Sequence, residues 1–263
     1  MQILETARYL GSNASCYYAN GAWISITQFN RENLLNQDLH AHLNPHITFL
    51  LQGGTQEKRA GATYDRVAGD IVFFHAEEAH QNSHTPLLSK NINLEFEHHF
   101  LQQHHISEDD LKQALQNKIQ TKFSLLKIYN EFLINDMHSH DSINLLLLGL
   151  ITPEKAYHTP PSWIKLISDY LHDTGNTKVT LQQLAEVSGI HPVTISKNFP
   201  KYFNCTLGEY FRRIKTEKAL QLLKNNQIKL TDIAYQCGFA DQSHFIRVFK
   251  QSTGFLPKTY QNL

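Results

Sequence analysis

Cysteine is scarce in this chain: Cys16, Cys205 and Cys237 are the only three in 263 residues, and no two form a C-x-x-C pair. That excludes a disulfide scaffold and a cysteine-ligated zinc module, and it suits a reducing compartment. Cys205 and Cys237 fall at apolar-patterned positions, which predicts buried core thiols. Long hydrophobic runs are also missing. The longest, Leu145 to Ile151 with Gly149 inside it, is far short of the roughly 20 residues a membrane-spanning helix needs. No leader-type apolar run accompanies the acidic Glu5 near the N-terminus. Together these absences predict a soluble, cytoplasmic protein with no membrane partner.

Net charge is absent too, since 24 Lys+Arg balance 24 Asp+Glu. The balance conceals an asymmetry. Residues 161–263 hold 13 basic against 7 acidic side chains, and residues 1–160 hold 11 against 17. A basic C-terminal part points to a polyanionic partner, and the acidic N-terminal part argues against nucleic acid covering the whole surface. Histidine is skewed the other way, with thirteen of sixteen before residue 161.

The C-terminal part contains one pattern twice. Leu181, Ala185 and Gly189 recur at an offset of 49 as Leu230, Ala234 and Gly238. At an offset of 50, Ile195, Lys197, Phe199 and Tyr210 recur as Phe245, Arg247, Phe249 and Tyr260. Such self-similarity predicts a duplicated structural unit. Each copy has the parts of a helix-turn-helix: an alanine where two helices cross closely, and a glycine where the backbone turns left-handed. Pro192 suits the first turn of its helix, where a missing N–H costs nothing.

In the second helix of each copy, Ile195 with Phe199 and Phe245 with Phe249 point inward at i, i+4. Val193, Ser196 and Lys197, and likewise Gln242, Ser243, Ile246 and Arg247, then point outward as candidate readers of base edges. Lys and Arg donate to guanine, Gln bonds adenine, and apolar Val or Ile touches a thymine methyl. Lys201, Lys229, Thr231 and Lys250 are candidate phosphate contacts, which position without specifying. The connector from Glu209 to Lys224 has neither glycine nor proline; sixteen residues of helix span about 24 Å. Such a strut can hold two recognition helices near the B-DNA repeat of about 34 Å.

This arrangement resembles the AraC/XylS family of bacterial transcription regulators over about residues 163–262. The match is strongest from Lys229 to Pro257, KLTDIAYQCGFADQSHFIRVFKQSTGFLP. Three positions depart from the family pattern: Asn204 stands for a glycine, Pro200 for a basic residue and Gln261 for a terminal arginine. The resemblance implies double-stranded DNA as partner, and RNA polymerase contact with activation more often than repression.

The N-terminal part reads as strands. Ala22–Thr27, Ile47–Leu51, Asp70–Phe74 and Asn91–Phe96 are short, aromatic or β-branched, and separated by turn residues. Ile92, Leu94 and Phe96 share one face. At about residue 107 the pattern changes. Ser107 followed by three acids predicts a helix start, and Leu111, Leu115, Ile119, Phe123 and Leu126 form one apolar stripe. A second helix is expected over 142–150, and paired prolines at 160–161 mark a stiff linker.

His40, His42, His46, Gly53, Gly69, His80 and His84 resemble the two cupin motifs, in which histidines, an acid and glycines converge inside a small β-barrel. Here His46 takes the acid's place, and His75 and Glu77 replace the second motif's proline and glycine. His40 and His42 point to one side of a strand, His46 shares their parity, and His80 is expected from a facing strand. Those four imidazoles suit Zn, Ni, Cu or Fe; the other reading is of hydrogen-bonded core or surface histidines, with an organic effector in the barrel.

The expected fold is therefore α+β with two domains. Residues 1–106 form a cupin-like antiparallel β-barrel that senses an effector, and 107–151 form appended helices that dimerise. Residues 152–162 form the linker, and 163–263 form an all-α DNA-binding domain with two helix-turn-helix motifs. The expected function is a sequence-specific transcription regulator, not an enzyme, acting as a homodimer under a small-molecule or metal effector. Two alternatives stand beside it: a metal-dependent cupin enzyme fused to a DNA-binding module, and an effector-independent DNA-binding protein.

Overall fold

A computed structural model describes residues 1–30, 37–115, 118–151, 161–174, 179–203, 205–225 and 227–263. The chain divides into two compact units, Met1–Pro153 and Glu154–Leu263. Of the expected linker, residues 152–160 lie outside the described residues, as does Asn204.

The first unit contains ten strands: β1 (Gln2–Leu4), β2 (Ser12–Ala19), β3 (Ala22–Phe29), β4 (His40–His42), β5 (His46–Gln52), β6 (Gly54–Arg59), β7 (Ala62–Val67), β8 (Ile71–Phe74), β9 (His80–Ser83) and β10 (Ser89–Phe96). Instead of one closed antiparallel barrel, these make two five-stranded sheets, ordered β1-β4-β9-β6-β7 and β2-β3-β10-β5-β8. The short β1 runs parallel to β4, with Gln2 beside His40 and Leu4 beside His42. The other pairs are antiparallel. Two hairpins turn on Asn20-Gly21 and Ala60-Gly61, all four residues at positive φ, as two-residue turns matched to strand twist require.

Strand β10 lies at the centre of its sheet, which explains why both its faces are buried. Ile92, Leu94 and Phe96 form the apolar face, and Asn93 and Glu95 on the other are just as enclosed. Asn93 is satisfied there: its amide donates to Thr27 Oγ1 at 2.8 Å, and it accepts from Thr48 Oγ1 at 2.9 Å. These bonds run across β3, β10 and β5 on the sheet's inner surface.

Four helices complete the unit: α1 (His98–His104), α2 (Glu108–Ala114), α3 (Lys118–Ile134) and α4 (Ser139–Ile151). Ser107 caps α2 in a capping box with Asp110, as its spacing predicts. The apolar stripe belongs to two helices, not one, with Leu111 buried on α2 and Phe123 and Leu126 buried on α3. Helix α1 begins nine residues earlier than the composition change suggests. Helices α3 and α4 pack together, and α4 also packs on β2, where Tyr17 Oη lies 3.0 Å from His140 Nδ1.

The second unit is helical throughout its described residues: α5 (Ser162–Asp173), α6 (Leu181–Ser188), α7 (Pro192–Phe203), α8 (Leu207–Leu222), α9 (Leu230–Gln236), α10 (Gln242–Thr253) and α11 (Pro257–Gln261). Ile167, Leu171, Leu184, Ile195, Phe199 and Cys205 form one core. Ile233, Ala234, Cys237, Phe245, Val248 and Phe249 are buried in the α9–α10 half. Both core thiols are enclosed, and burial pushes that of Cys237 up to about 11.

Candidate histidine cavity and nucleic-acid interface

The inner faces of the two sheets enclose a cavity of about 50 Å³ lined by His40, His42, His46, His80, Tyr9 and the Glu57–Arg66 pair, among others. His40 and His42 project from the same face of β4, two residues apart. His80 stands directly opposite His40 in the β4–β9 ladder. It thus comes from the adjacent strand of the same sheet, not from a facing one. Each of these three offers a ring nitrogen within 4.8 Å of the others'. His46 arrives differently. The chain crosses at Leu43–Pro45 to the other sheet, so parity along one strand does not apply. Its ring lies 4.3 Å from that of His42 and 6.0 Å from that of His80, stacked on Phe74 at 4.7 Å.

Hydrogen bonding fixes two of the tautomers. His40 Nδ1 lies 2.8 Å from the Asp38 carbonyl and His80 Nδ1 lies 3.0 Å from that of Glu78. A carbonyl only accepts, so each Nδ1 carries the proton and each Nε2 keeps its lone pair. Metal-ligating histidines are ordinarily held by a second-nitrogen bond of this kind. Burial lowers the pKa of all four. It holds His42 at about 3 and His80 at about 4, with neighbouring imidazoles adding to the effect. His40 is lowered and His46 lies well below its ordinary value. Neutral rings result, and neutral imidazole is the ligand form.

Two nitrogens in this cluster, Nδ1 of His42 and Nδ1 of His46, are buried without a hydrogen-bond partner. An orphaned buried polar atom costs roughly 1–3 kcal/mol. An ion bound by the cluster offsets that cost for a nitrogen that ligates it. A tetrahedral ion at about 2.0–2.1 Å from each nitrogen sets ligands about 3.3 Å apart, a contraction within reach of ring rotation. The donor set therefore fits a borderline late transition metal such as Zn, Ni, Cu or Fe.

The acids nearby are already engaged. Glu57, 2% exposed in its side chain, binds Arg59 at 3.1 Å and Arg66 at 3.0 Å. Glu95 accepts from the Ala7 N–H at 2.9 Å, the Asn44 amide at 2.9 Å and the Tyr9 hydroxyl at 3.4 Å. Of the remaining histidines, His84 is exposed and lies outside the cluster, and His75 pairs with Glu108 at 2.6 Å.

In the second unit, the candidate base readers occupy two helices. On α7, Val193, Ser196 and Lys197 are exposed while Ile195 and Phe199 are fully buried. On α10, Ser243 and Arg247 are exposed, Gln242 and Ile246 are half-buried, and Phe245 and Phe249 are fully buried. Of the candidate phosphate contacts, Lys201, Lys229, Thr231 and Lys250 are all exposed. Lys229 is the N-cap of α9 and Asp241 caps α10 through the His244 N–H. Thr231 Oγ1 donates to Gln242 Oε1 at 2.6 Å, tying α9 to the start of α10.

Gly189 ends α6 at φ 68° and Gly238 follows α9 at φ 74°, so the left-handed turn recurs in both copies. The basic connector is less free than its charge suggests. Lys215 and Lys218 of α8 donate to the carbonyls of Gly238 and Gln236. Cations there cap the C-terminal end of α9 and oppose its dipole. No pattern along the sequence distinguishes these two lysines from phosphate-binding ones.

Residues 184–262 match the family described as a helix-turn-helix domain. The bifunctional transcriptional activator/DNA repair enzyme AdaA of Bacillus subtilis is 30% identical over 101 residues, covering 38% of this chain and 48% of that protein. The HTH-type transcriptional activator RhaS of Escherichia coli is 28% identical over 114 residues, covering 43% of this chain and 41% of that protein. The chain thus spans under half the length of these two relatives. A crystal structure of ToxT from Vibrio cholerae aligns with 92% of this chain and 97% of its own at 12% identity, with a TM-score of 0.36. Two helix pairs with a shared turn glycine agree with the family match over residues 184–262: this part of the chain is a helix-turn-helix domain similar to those of the activators AdaA and RhaS.

Proposed function

We propose that this protein is a sequence-specific DNA-binding transcription regulator whose N-terminal unit senses a divalent late transition metal. One observation carries the DNA-binding reading. Lys197 and Arg247 are both exposed, each two residues from fully buried aromatic or aliphatic anchors on the opposite side of its helix. That is the division of labour a recognition helix needs: a rigid apolar seat and a polar face for base edges. The 16-residue α8 joins the two helix-turn-helix motifs without a glycine or proline between Glu209 and Leu222. One chain then reads two adjacent major-groove segments on one DNA face, so its site is asymmetric. Selection of bound sequences from a random pool by the full-length chain, followed by footprinting, tests this. Two protected groove segments about one helical turn apart are expected; a single protected groove overturns it.

Cavity size favours an ion over an organic effector. Pockets for drug-sized molecules run to about 300–1,000 Å³, and the histidine cavity is about 50 Å³. His40, His42 and His80 would hold the ion, with the Asp38 and Glu78 carbonyls fixing two of the rings. The ion, when bound, supplies a Lewis-acidic centre that crosslinks β4 to β9. Linkage requires that an effector changing the affinity for DNA have its own affinity changed by the same factor. Titrating Zn²⁺ into the full chain should therefore shift operator affinity, and operator DNA should shift Zn²⁺ affinity equally; independence of the two removes the sensing role.

An enzyme reading finds less support, because catalysis at such a centre needs a positioned acid or base. Glu57, which lines the cavity, and Glu95, opposite His46 in its ladder, are both engaged in ion pairs or hydrogen bonds. A cytoplasmic activator that contacts RNA polymerase as a homodimer completes the proposal. Helices α3 and α4 and the turn between them supply the dimer surface through Leu133, Ile134, Met137 and Leu145, all exposed. No described helix is long and apolar enough to cross a membrane.

A further inference from the structure

We infer that the metal centre is built from His40, His42 and His80 alone, and that a small anion of a few heavy atoms completes it as part of the effector. The inference rests on the metal-sensing reading above and names what else that site binds.

Charge is the first argument. Three neutral imidazoles leave a divalent ion with its whole charge inside a buried cavity, and buried charge is tolerated only when paired. Among the residues lining the cavity Glu57 is the one carboxylate, and Arg59 and Arg66 already hold it at 3.1 and 3.0 Å. Arg66 lines the same cavity, so the protein adds positive potential there. Glu95, the acid opposite His46 in the β5–β10 ladder, is committed to Ala7, Asn44 and Tyr9. Among the described residues that line the cavity, no carboxylate is left to compensate the ion.

Geometry gives the second argument. His46 stands where a fourth protein ligand would be sought, yet it belongs to the facing sheet. Its ring stacks flat on Phe74, at 4.7 Å and 12° between planes, and it lies 6.0 Å from His80. No nitrogen of His46 belongs to the set of ring nitrogens that converge within 4.8 Å of one another. The cavity that holds the three imidazoles is also lined by Thr27, whose hydroxyl proton can be given to an anion's oxygen, and by Asn91.

Volume sets the size. A cavity of about 150 Å³ accommodates benzene, so one of about 50 Å³ admits an ion of formate or azide dimensions. An aromatic carboxylate is too large.

Co²⁺-loaded full-length protein tests this by its visible spectrum, with azide, formate and benzoate as probes. Azide and formate should each alter the absorption and saturate at one per bound Co²⁺. Benzoate should neither alter it nor compete, and chelator-treated protein should bind none of them. His46→Phe, which preserves the stack on Phe74, should keep one Co²⁺ per chain and the azide response; His46→Gln serves the same end should the first variant fold poorly. A wild-type spectrum indifferent to azide and formate overturns the inference, as does competition by benzoate. So does loss of Co²⁺ from a His46 variant whose circular dichroism matches wild type, since His46 would then be a ligand. A wild-type chain that takes up no Co²⁺ sinks the metal reading itself. Operator binding, measured on the same preparation, depends on α7 and α10 and reports the regulator reading separately.

Discussion

His40 and His80 face each other across the β4–β9 ladder, their ring centroids 4.4 Å apart, and each donates Nδ1–H to the carbonyl two residues before it. Two strands thus present matched imidazoles with the same tautomer and the same free nitrogen. His42 joins them in one cluster, and metal uptake should fail when two of its three imidazoles are removed. His42→Ala with His80→Ala should bring bound Zn²⁺, Ni²⁺ or Cu²⁺, measured by mass spectrometry on untagged protein, from about one per chain to none. His84→Ala, outside the cluster, should leave it unchanged. Metal retained by the double variant would place the site elsewhere.

The same burial predicts an acid lability. In the folded, chelator-treated protein His42 titrates at about 3 and His80 at about 4, against an unfolded value near 6.5. Between those limits the unfolded chain binds more protons, so stability rises with pH. As the pH falls from about 6.5 toward 4, each of the two residues should withdraw up to about 1.4 kcal/mol per unit. Urea unfolding followed by Trp23 fluorescence should show this slope, and His42→Phe should reduce it. A flat profile over that range would mean that water reaches the cluster.

Several elements were legible because a single local signal sufficed. β3, β5, β8 and β10 show as apolar or β-branched runs, and α2 shows through Ser107 and its acids. β6, β7 and β9 do not, since Gly54–Arg59, Ala62–Val67 and His80–Ser83 are mostly polar and carry no apolar alternation. Asn20-Gly21 was a sufficient hairpin signal for β2 and β3, and it could have been used. Helix α1 opens on two histidines with no side-chain cap at Glu97, so nothing announces it. That His40 and His42 share a face followed from their spacing, and His80 was brought to them by the cupin resemblance, from a facing strand where the structure has an adjacent one. The placement of His46 did not, because the turn through Asn44-Pro45 carries it to another sheet. The capping role of Lys215 and Lys218 depends on tertiary packing, which charge counting does not see.

Glu77 marks a site where the sequence works against the backbone. Its φ is +59°, in the left-handed region that costs an L-residue about 1–2 kcal/mol and glycine almost nothing. Its N–H donates to the His42 carbonyl at 2.8 Å, which holds the turn before β9 against the histidine strand. Glu77→Gly should keep that bond and relieve the strain. Set against the greater entropy of an unfolded glycine, the net gain should be about 0.5–1 kcal/mol. Calorimetry should show a higher Tm with metal stoichiometry unchanged; a lower Tm would mean that the Glu77 side chain contributes more than its backbone costs.

If α10 is a recognition helix as proposed, Arg247 and Lys250, one turn apart, should make two different kinds of contact. Arg247, exposed between the buried Phe245 and Phe249, carries a planar fork that fits guanine O6 and N7. Arg247→Ala should cost about 1–3 kcal/mol on the preferred site and relax selection at one base pair. Lys250, exposed in the last turn, is placed for a phosphate, and phosphate contacts carry no sequence information. Lys250→Ala should weaken binding to all sequences alike and reduce the slope of log K against log salt by about 0.9. Both variants should be assayed over a salt series on the selected site and on a scrambled one. If Arg247→Ala loses affinity equally on both, Arg247 touches phosphate only and base reading on α10 must pass to Gln242 and Ser243, the residues at its N-terminal end. Gln242 can then serve only with its amide N–H groups foremost, because its oxygen is held by Thr231 at 2.6 Å.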